Sequence, residues 1–261
     1  MIKRLLLTAA LAILTLPSSA QDGSAILKKV ISAYASLNSY SQVSSAMETF
    51  TSPRFQDTIG SSAKLRYRKP DRFYVVLTGA RVGTSVAVSN GQQETIYSSQ
   101  VDKYRRLPAP KNISAFVNSL LLLGLHANMD PLDFLRGVPE VSKLGRFKFL
   151  GGGMVNGVKC LRISATMGSS TLPKGGSGSV TLWVDSKSSL LHKVEWNIKG
   201  VSHMAPVQVM KKGKPTRVLV KTIGVENVVE TIQKMHLNPI LHDSDFQYPL
   251  PATAVEQKIN P

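Results

Sequence analysis

Apolar residues along this 261-residue chain follow two different periods. In "SAILKKVISAYASL" Leu27, Val30, Ile31, Tyr34 and Leu37 recur at spacings of three and four, which predicts an amphipathic helix capped by Asp22 or Ser24. From Tyr40 the period drops to two. "KLRYRKPDRFYVVLTG" predicts two strands around a Lys69-Pro70-Asp71 turn, with Leu65 and Tyr67 on one face and Phe73, Val75 and Leu77 on the next. "VAVSNGQQETIYSS" predicts a hairpin at Asn90-Gly91, residues suited to the positive φ angles of a type I′ turn, and "VDKYRRLPAP" a further strand. A second helix is predicted from Ile113 to about Leu125, apolar nearly all round and so in need of cover on most sides, and Asp130-Pro131 opens a short helical turn.

Beyond Val141 the pattern is strand-like almost to the end. "GRFKFLGGGMVNGVKCLRISA" reads as a hairpin around Asn156-Gly157, with Leu161 and Ile163 on alternate positions. "TLPKGGSGS" reads as a flexible loop and "VTLWVDSKSSLLHKVEWNI" as another hairpin. Residues 199–216, rich in lysine, glycine and proline, read as a long basic loop before "RVLVKTIGVENVVETIQKMHL" resumes the strand pattern. "NPILHDSDFQYPLPATA" reads as a turn, a short strand and a proline-broken tail. No internal repeat or linker divides the chain. One antiparallel sheet of roughly ten strands with two helical segments fits, and one of its faces must be covered.

The first twenty residues stand apart from this pattern. Lys3 and Arg4 precede the apolar run Leu5 to Leu16, and Pro17-Ser18-Ser19-Ala20 supplies small residues, so residues 1–20 are expected to be a secretory signal peptide cleaved after Ala20. The run is too short to span a bilayer, and no later run is long enough, so a soluble, exported, periplasmic chain with no transmembrane segment is expected. Residues 21–261 are expected to form one domain. The formal charge of +16 falls to +14 without the signal, with only 18% of residues charged, so acids are scarce. A basic surface attracts anionic lipid headgroups or nucleic acid, and export sets nucleic acid aside. Cys160 is the only cysteine, which excludes an intramolecular disulfide, and its place in a strand predicts burial.

One stretch raises a question of chemistry. "LWVDSKSSLLHKVEW", from Leu182 to Trp196, contains an aspartate, three serines and a histidine, the ingredients of a nucleophilic triad. Turns use the same residue types, because Asp and Ser side chains bond local backbone groups, and Asp185 with its serines sits where a strand ends. In a regular hairpin His192 would share its face with Val194 and Trp196, and Leu191 would share the other with Lys193. His126, His192, His203, His236 and His242 show no zinc-type pairing, and the chain has neither a Gly-x-Ser-x-Gly elbow nor a phosphate-cradling glycine loop. No catalytic residue, metal or cofactor is therefore expected, and no enzymatic activity.

Five segments in order resemble the LolA/LolB superfamily of bacterial envelope proteins, and most closely its predicted-periplasmic-protein branch. They are "RKPDRF", "SNGQQETIYSSQVDKYRRLPAP", "LGGGMVNGVKCLRI", "LWVDSKSSLLHKVEW" and "HLNPILHDSDFQYPLPATA". Two departures are the longer, more basic segment 199–216 and Leu191 in place of a common proline. The resemblance implies a mainly β (α+β) fold, a curved antiparallel sheet of about ten or eleven strands forming an open half-barrel, its concave face covered by helices. It also implies an apolar cavity between sheet and helices, and a non-enzymatic carrier or chaperone of lipid or lipoprotein acyl chains. Leu65, Tyr67, Phe73, Val75, Leu77, Leu161, Ile163, Trp183 and Trp196 are then the candidate lining, the 113–125 helix a lid, and Lys211, Lys212 and Lys214 a candidate site for an anionic headgroup. A monomer working with inner- or outer-membrane envelope proteins is expected. The alternative is a regulatory or assembly module that docks a partner through its basic surface and holds no lipid.

Overall fold

Asp22 opens the first helix, α1 (Gly23–Ala35), by accepting a hydrogen bond from the Ser24 N–H at 3.1 Å. The computed structural model describes residues 22–257 apart from 54, 81–82, 123–129, 138–139, 168–171, 173–174 and 212–213. The expected signal peptide at 1–20 and the end of the second helix at 123–125 lie outside the described residues. The predicted stripe of α1 is realised, with Leu27, Val30 and Tyr34 buried. Helix α2 (Ile113–Leu122) buries Ile113, Phe116, Val117 and Leu120, and α3 (Asp130–Leu135) buries Leu132, Phe134 and Leu135.

The period-two segments form strands of one sheet. In chain order these are β1 (Ser39–Ser52), β2 (Phe55–Arg68), β3 (Arg72–Gly79), β4 (Gly83–Asn90), β5 (Gln93–Ser98) and β6 (Lys103–Pro108). After the helices come β7 (Lys148–Val155), β8 (Val158–Met167), β9 (Ser177–Asp185), β10 (Leu191–Lys211), β11 (Lys214–Leu237) and β12 (Val255–Glu256). The sheet is open, ordered β12-β6-β5-β4-β3-β2-β1-β11-β10-β9-β8-β7. All neighbours are antiparallel except β12, which lies parallel to β6. Twelve strands stand against the expected ten or eleven. The inward positions of β1 include Gln42, Ser44 and Glu48, so this strand carries too little apolar contrast to be delimited by pattern.

The helices cover one face, where Leu65, Phe73, Val75, Leu77, Ile163, Leu182 and Val194 join them in a single buried cluster. The opposite, convex face carries a smaller cluster of Val86, Val88 and Tyr97. Here the C-terminal tail crosses the sheet, laying Tyr248, Leu250 and Ala254 on that cluster and burying Phe246. Three arginines fasten the tail. Arg66 donates to the Asp245 carbonyl at 3.0 Å, while Arg68 and Arg72 both reach the Asp243 carboxylate. Hydrogen bonding from Arg68 holds the Asp243 carboxyl below its ordinary value. Gly91 is required by its left-handed φ of +83°, and the Arg72 guanidinium lies over the space a Cβ there would take.

Two turn and loop expectations are corrected. Gly91 has positive φ but Asn90 does not, so that hairpin is not type I′; the Asn90 side chain instead accepts from the Gln92 and Gln93 N–H groups. The described residues of 199–216 are not a loop. They belong to β10 and β11, which run on as a two-stranded ribbon, paired from Val201↔Gly224 to Lys211↔Lys214, with 212–213 outside the described residues. Pro206 and Pro215 conceal the strand pattern in the sequence, yet a ribbon with no third strand tolerates a missing N–H on its outer side.

Phe73→Ala should lower unfolding free energy by about 3–5 kcal/mol, since it empties a fully buried ring site stacked between Tyr67 and Phe116. Met204→Ser, on an exposed side chain, should change it by less than about 0.5 kcal/mol. Urea denaturation followed by tryptophan fluorescence measures both.

Candidate functional site

The concave face brings most of the candidate lining residues together. Leu65, Tyr67, Phe73, Val75, Leu77 and Ile163 are each at most 3% exposed, and half-buried Leu161 and Trp196 pack against them. Three rings tie strands to helix. Tyr67 stacks on Phe73 with centroids 5.5 Å apart, and Phe73 stacks on Phe116 of α2 at 4.4 Å with planes within 10° of parallel. Burial pushes the Tyr67 phenol up to about 12, so the ring is a neutral part of an apolar surface. Farther along, Tyr34 of α1 meets Tyr40 edge-on at 5.7 Å and Phe134 of α3 at 5.6 Å, and its hydroxyl accepts from the Leu191 N–H at 3.3 Å.

Trp183 is not part of this face. It pairs with Arg162 and Lys193 in the ladder, between the inward Leu182 and Val184, and so projects from the convex side. There its ring lies between two cations, the Arg162 guanidinium at 5.2 Å and the Lys193 ammonium at 5.0 Å. Gly153 makes room for it, since an added Cβ would come within 2.5 Å of the indole. Strict alternation in "LWVDS" carried this signal.

The triad ingredients also meet, in a sequence of bonds that makes a turn. Asp185 Oδ1 accepts from the Lys187 N–H at 2.8 Å and Oδ2 from the Ser188 hydroxyl at 2.7 Å, and His192 Nε2 lies 3.9 Å from that same Oδ2. Ser188 thus gives its proton to the carboxylate, whereas an activated nucleophile would give it to the imidazole. The hairpin is irregular at His192, where the β9–β10 register shifts, so Leu191 is buried inward while Lys193 faces outward beside Trp183. Leu191 and Lys193 therefore do not share a face as a regular hairpin would require. Burial would raise Asp185, but the Lys187 and Ser188 hydrogen bonds outweigh it and hold its pKa below the ordinary value. Burial lowers His192, against the pull of Asp185.

A cluster that the sequence did not disclose lies on the concave side where the ribbon leaves the sheet. Glu48 of β1, His203 of β10 and Glu226 of β11 bring one donor atom each within 4.8 Å of the others. His203 stacks on Phe50 at 4.0 Å and bonds Glu226 at 3.2 Å. An imidazole with two carboxylates is a donor set that a divalent cation accepts when water completes its shell. The three residues lie far apart in sequence, so spacing held no signal. On the convex face, a crevice of about 160 Å³ opens between the tail and β4–β5, lined by Val88, Asn90, Thr95, Phe246 and Tyr248. The candidate headgroup lysines are at the ribbon's tip, where Lys211 pairs with Lys214; Lys212 lies outside the described residues.

An open curved sheet with helices over its concave face is the architecture expected of LolA-like envelope proteins. Residues 23–202 match the family described as "Predicted periplasmic protein (DUF2092)", and the chain belongs to that family. No curated protein matches the sequence. Among solved structures, the chain is similar to the lipoprotein LppX of Mycobacterium tuberculosis, at 14% identity and a TM-score of 0.46, covering 84% of this chain and 97% of that one. It is similar to a LolA superfamily protein from Nitrosomonas europaea at 16% identity and a TM-score of 0.32, covering 88% and 99%. The Pseudomonas aeruginosa MucA/MucB complex matches at 10% identity and a TM-score of 0.40, covering 87% of this chain and 61% of that one. No described helix is long and apolar enough to cross a membrane.

The Asp185 and His192 shifts are both downward, so each group adds stability above its unfolded pKa that is lost as pH falls through its folded one. The two windows differ, beginning near pH 6.5 for the histidine and near pH 4 for the aspartate. His192→Gln should flatten the higher window, whereas Asp185→Asn should flatten the lower one and extend the higher to lower pH, because the histidine loses the carboxylate that pulls it up, as read from melting temperature against pH.

Proposed function

We propose that this protein binds acyl chains of lipids or lipoproteins in the periplasm, as a carrier without enzymatic activity. The observation that carries the reading is the junction between α2 and the sheet. A helix with no charged residue from Ile113 to Leu122 shares one buried apolar cluster with Leu65, Phe73, Val75 and Leu77 of the sheet and is fastened to it through the Phe116–Phe73 stack. Displacing α2 would leave an apolar trough between sheet and helix whose preferred occupant is hydrocarbon. An acyl chain gains about 0.8 kcal/mol per buried methylene, so a 14-carbon chain supplies on the order of 10 kcal/mol before the cost of moving the lid. Membership of a predicted periplasmic family and the expected signal peptide support the location.

Native mass spectrometry of protein purified from the periplasm should find bound lipid of acyl-chain mass. The delipidated protein should take up a fluorescent fatty acid that is displaced by unlabelled oleate. Val117→Asp, which places a carboxylate under the lid, should weaken uptake at least tenfold. Protein that emerges empty and ignores the fluorescent fatty acid would sink this reading.

A further inference from the structure

The ribbon formed by the outer halves of β10 and β11 is the least explained part of the molecule. β9 follows β10 only as far as Lys199, and β1 follows β11 only as far as Val225. Beyond those points the two strands pair only with each other among the described residues. At about 3.3 Å per residue the eleven residues from Val201 to Lys211 reach roughly 35 Å. The family match ends at residue 202, near the ribbon's base.

The ribbon combines two properties that soluble surfaces keep apart. Met204 lies opposite Lys221, Leu219 and Ile223 flank Lys221 two residues away, and Met210 lies opposite Pro215, so register places all of them on one side. Met204, Met210, Leu219 and Ile223 are each more than half exposed. The sequence 199–224 also contains six cations, Lys199, Lys211, Lys212, Lys214, Arg217 and Lys221, and not one Asp or Glu; by register Lys221 shares the apolar side, while the Lys211–Lys214 pair at the tip takes the other. Large exposed apolar side chains mark a surface that is covered in use. An unbroken run of cations selects an anionic covering, and a bilayer surface supplies both, with phosphate groups outside and hydrocarbon a few ångströms below. A protein partner would have to match apolar and acidic chemistry along a two-stranded ribbon, which a membrane does without any specific fit.

We infer that this ribbon docks the protein on anionic membrane surfaces, with Met204, Met210, Leu219 and Ile223 entering the interface and Lys221 and, at the tip, Lys214 meeting lipid phosphates. Docking goes beyond acyl-chain binding and is separable from it, because the exposed face lies outside the concave core. The test is flotation of the purified full-length mature protein with vesicles of phosphatidylcholine alone and of phosphatidylcholine with equal parts phosphatidylglycerol. The protein should float with the anionic vesicles, remain behind with the neutral ones, and be released by high salt. Lys214→Gln with Lys221→Gln should weaken flotation on the order of tenfold or more. Met210→Ser with Leu219→Ser should weaken it comparably while far-UV circular dichroism and fatty-acid uptake stay unchanged. Equal flotation with both vesicle types, flotation with neither, or variants that float like the parent would each overturn the proposal. Loss of fatty-acid uptake with docking intact would instead count against the carrier reading alone.

Discussion

The pairing of β1 with β11 is the join on which the rest of the sheet depends. Strands β2 to β6 with β12 lie on one side of it and β7 to β10 on the other, and among the described residues no other ladder connects the two groups. The pairing runs from Tyr40↔Leu237 to Thr51↔Val225 and closes a loop of nearly the whole described chain. Loop-closure entropy makes such a contact late and slow to form. Its register therefore needs strong specification, and the inward residues supply it. The Tyr40 hydroxyl donates to Gln42 at 2.7 Å, Gln42 reaches Ser44 at 3.5 Å, and Glu230 is buried across the seam from Ala46. A slip by one residue would turn these groups outward and drive Lys234 toward the core, at a cost of several kcal/mol for the buried charge. At the end of the seam the Asn238 side chain accepts from the Asn38 and Ser39 N–H groups, which fixes where pairing starts.

The two faces of the sheet use different physics. Under the helices the concave face is apolar and holds them by ring stacking and close packing, while its polar inward groups collect along the β1–β11 seam. The convex face carries the cations, and arginine side chains lie over aromatic rings there, as Arg66 does over Tyr74 at 4.8 Å and Arg68 over Phe246 at 5.4 Å. The tail's ion pairs are partly exposed, and pairs of that kind contribute about 0–1 kcal/mol each. Burying Phe246 contributes about 1.5–3 kcal/mol, so packing holds the tail and the arginines orient it.

Much of the fold was legible in the residues, for identifiable reasons. The Asn156-Gly157 hairpin declared itself because both residues take positive φ, at 48° and 80°, and the apolar alternation through Phe73, Val75 and Leu77 left only one face to bury. The concave candidates came from the same signal, and six of them lie in the packed layer. What was hidden depends on partners remote in sequence or on masked periodicity. Trp183 stands among the candidate lining residues, although its neighbours Leu182 and Val184 claim the inner face. The ribbon was obscured because proline, glycine and lysine imitate a loop, and the Glu48, His203 and Glu226 cluster exists only once three strands are in register.

The buried Cys160 gives the folded and unfolded chains opposite chemical fates. Its thiol is fully enclosed, and burial pushes it up to about 11, so at neutral pH only on the order of one molecule in ten thousand carries the reactive thiolate. At the proposed periplasmic location oxidation is favoured, and the enclosed thiol of a folded chain resists it. A chain that has been exported but has not yet closed its β1–β11 seam presents the same sulfur, with an ordinary pKa, to every other unfinished copy. A covalent dimer made at that moment has no second cysteine with which to resolve itself. The interval between export and closure is thus the protein's period of chemical vulnerability, and completing the sheet ends it.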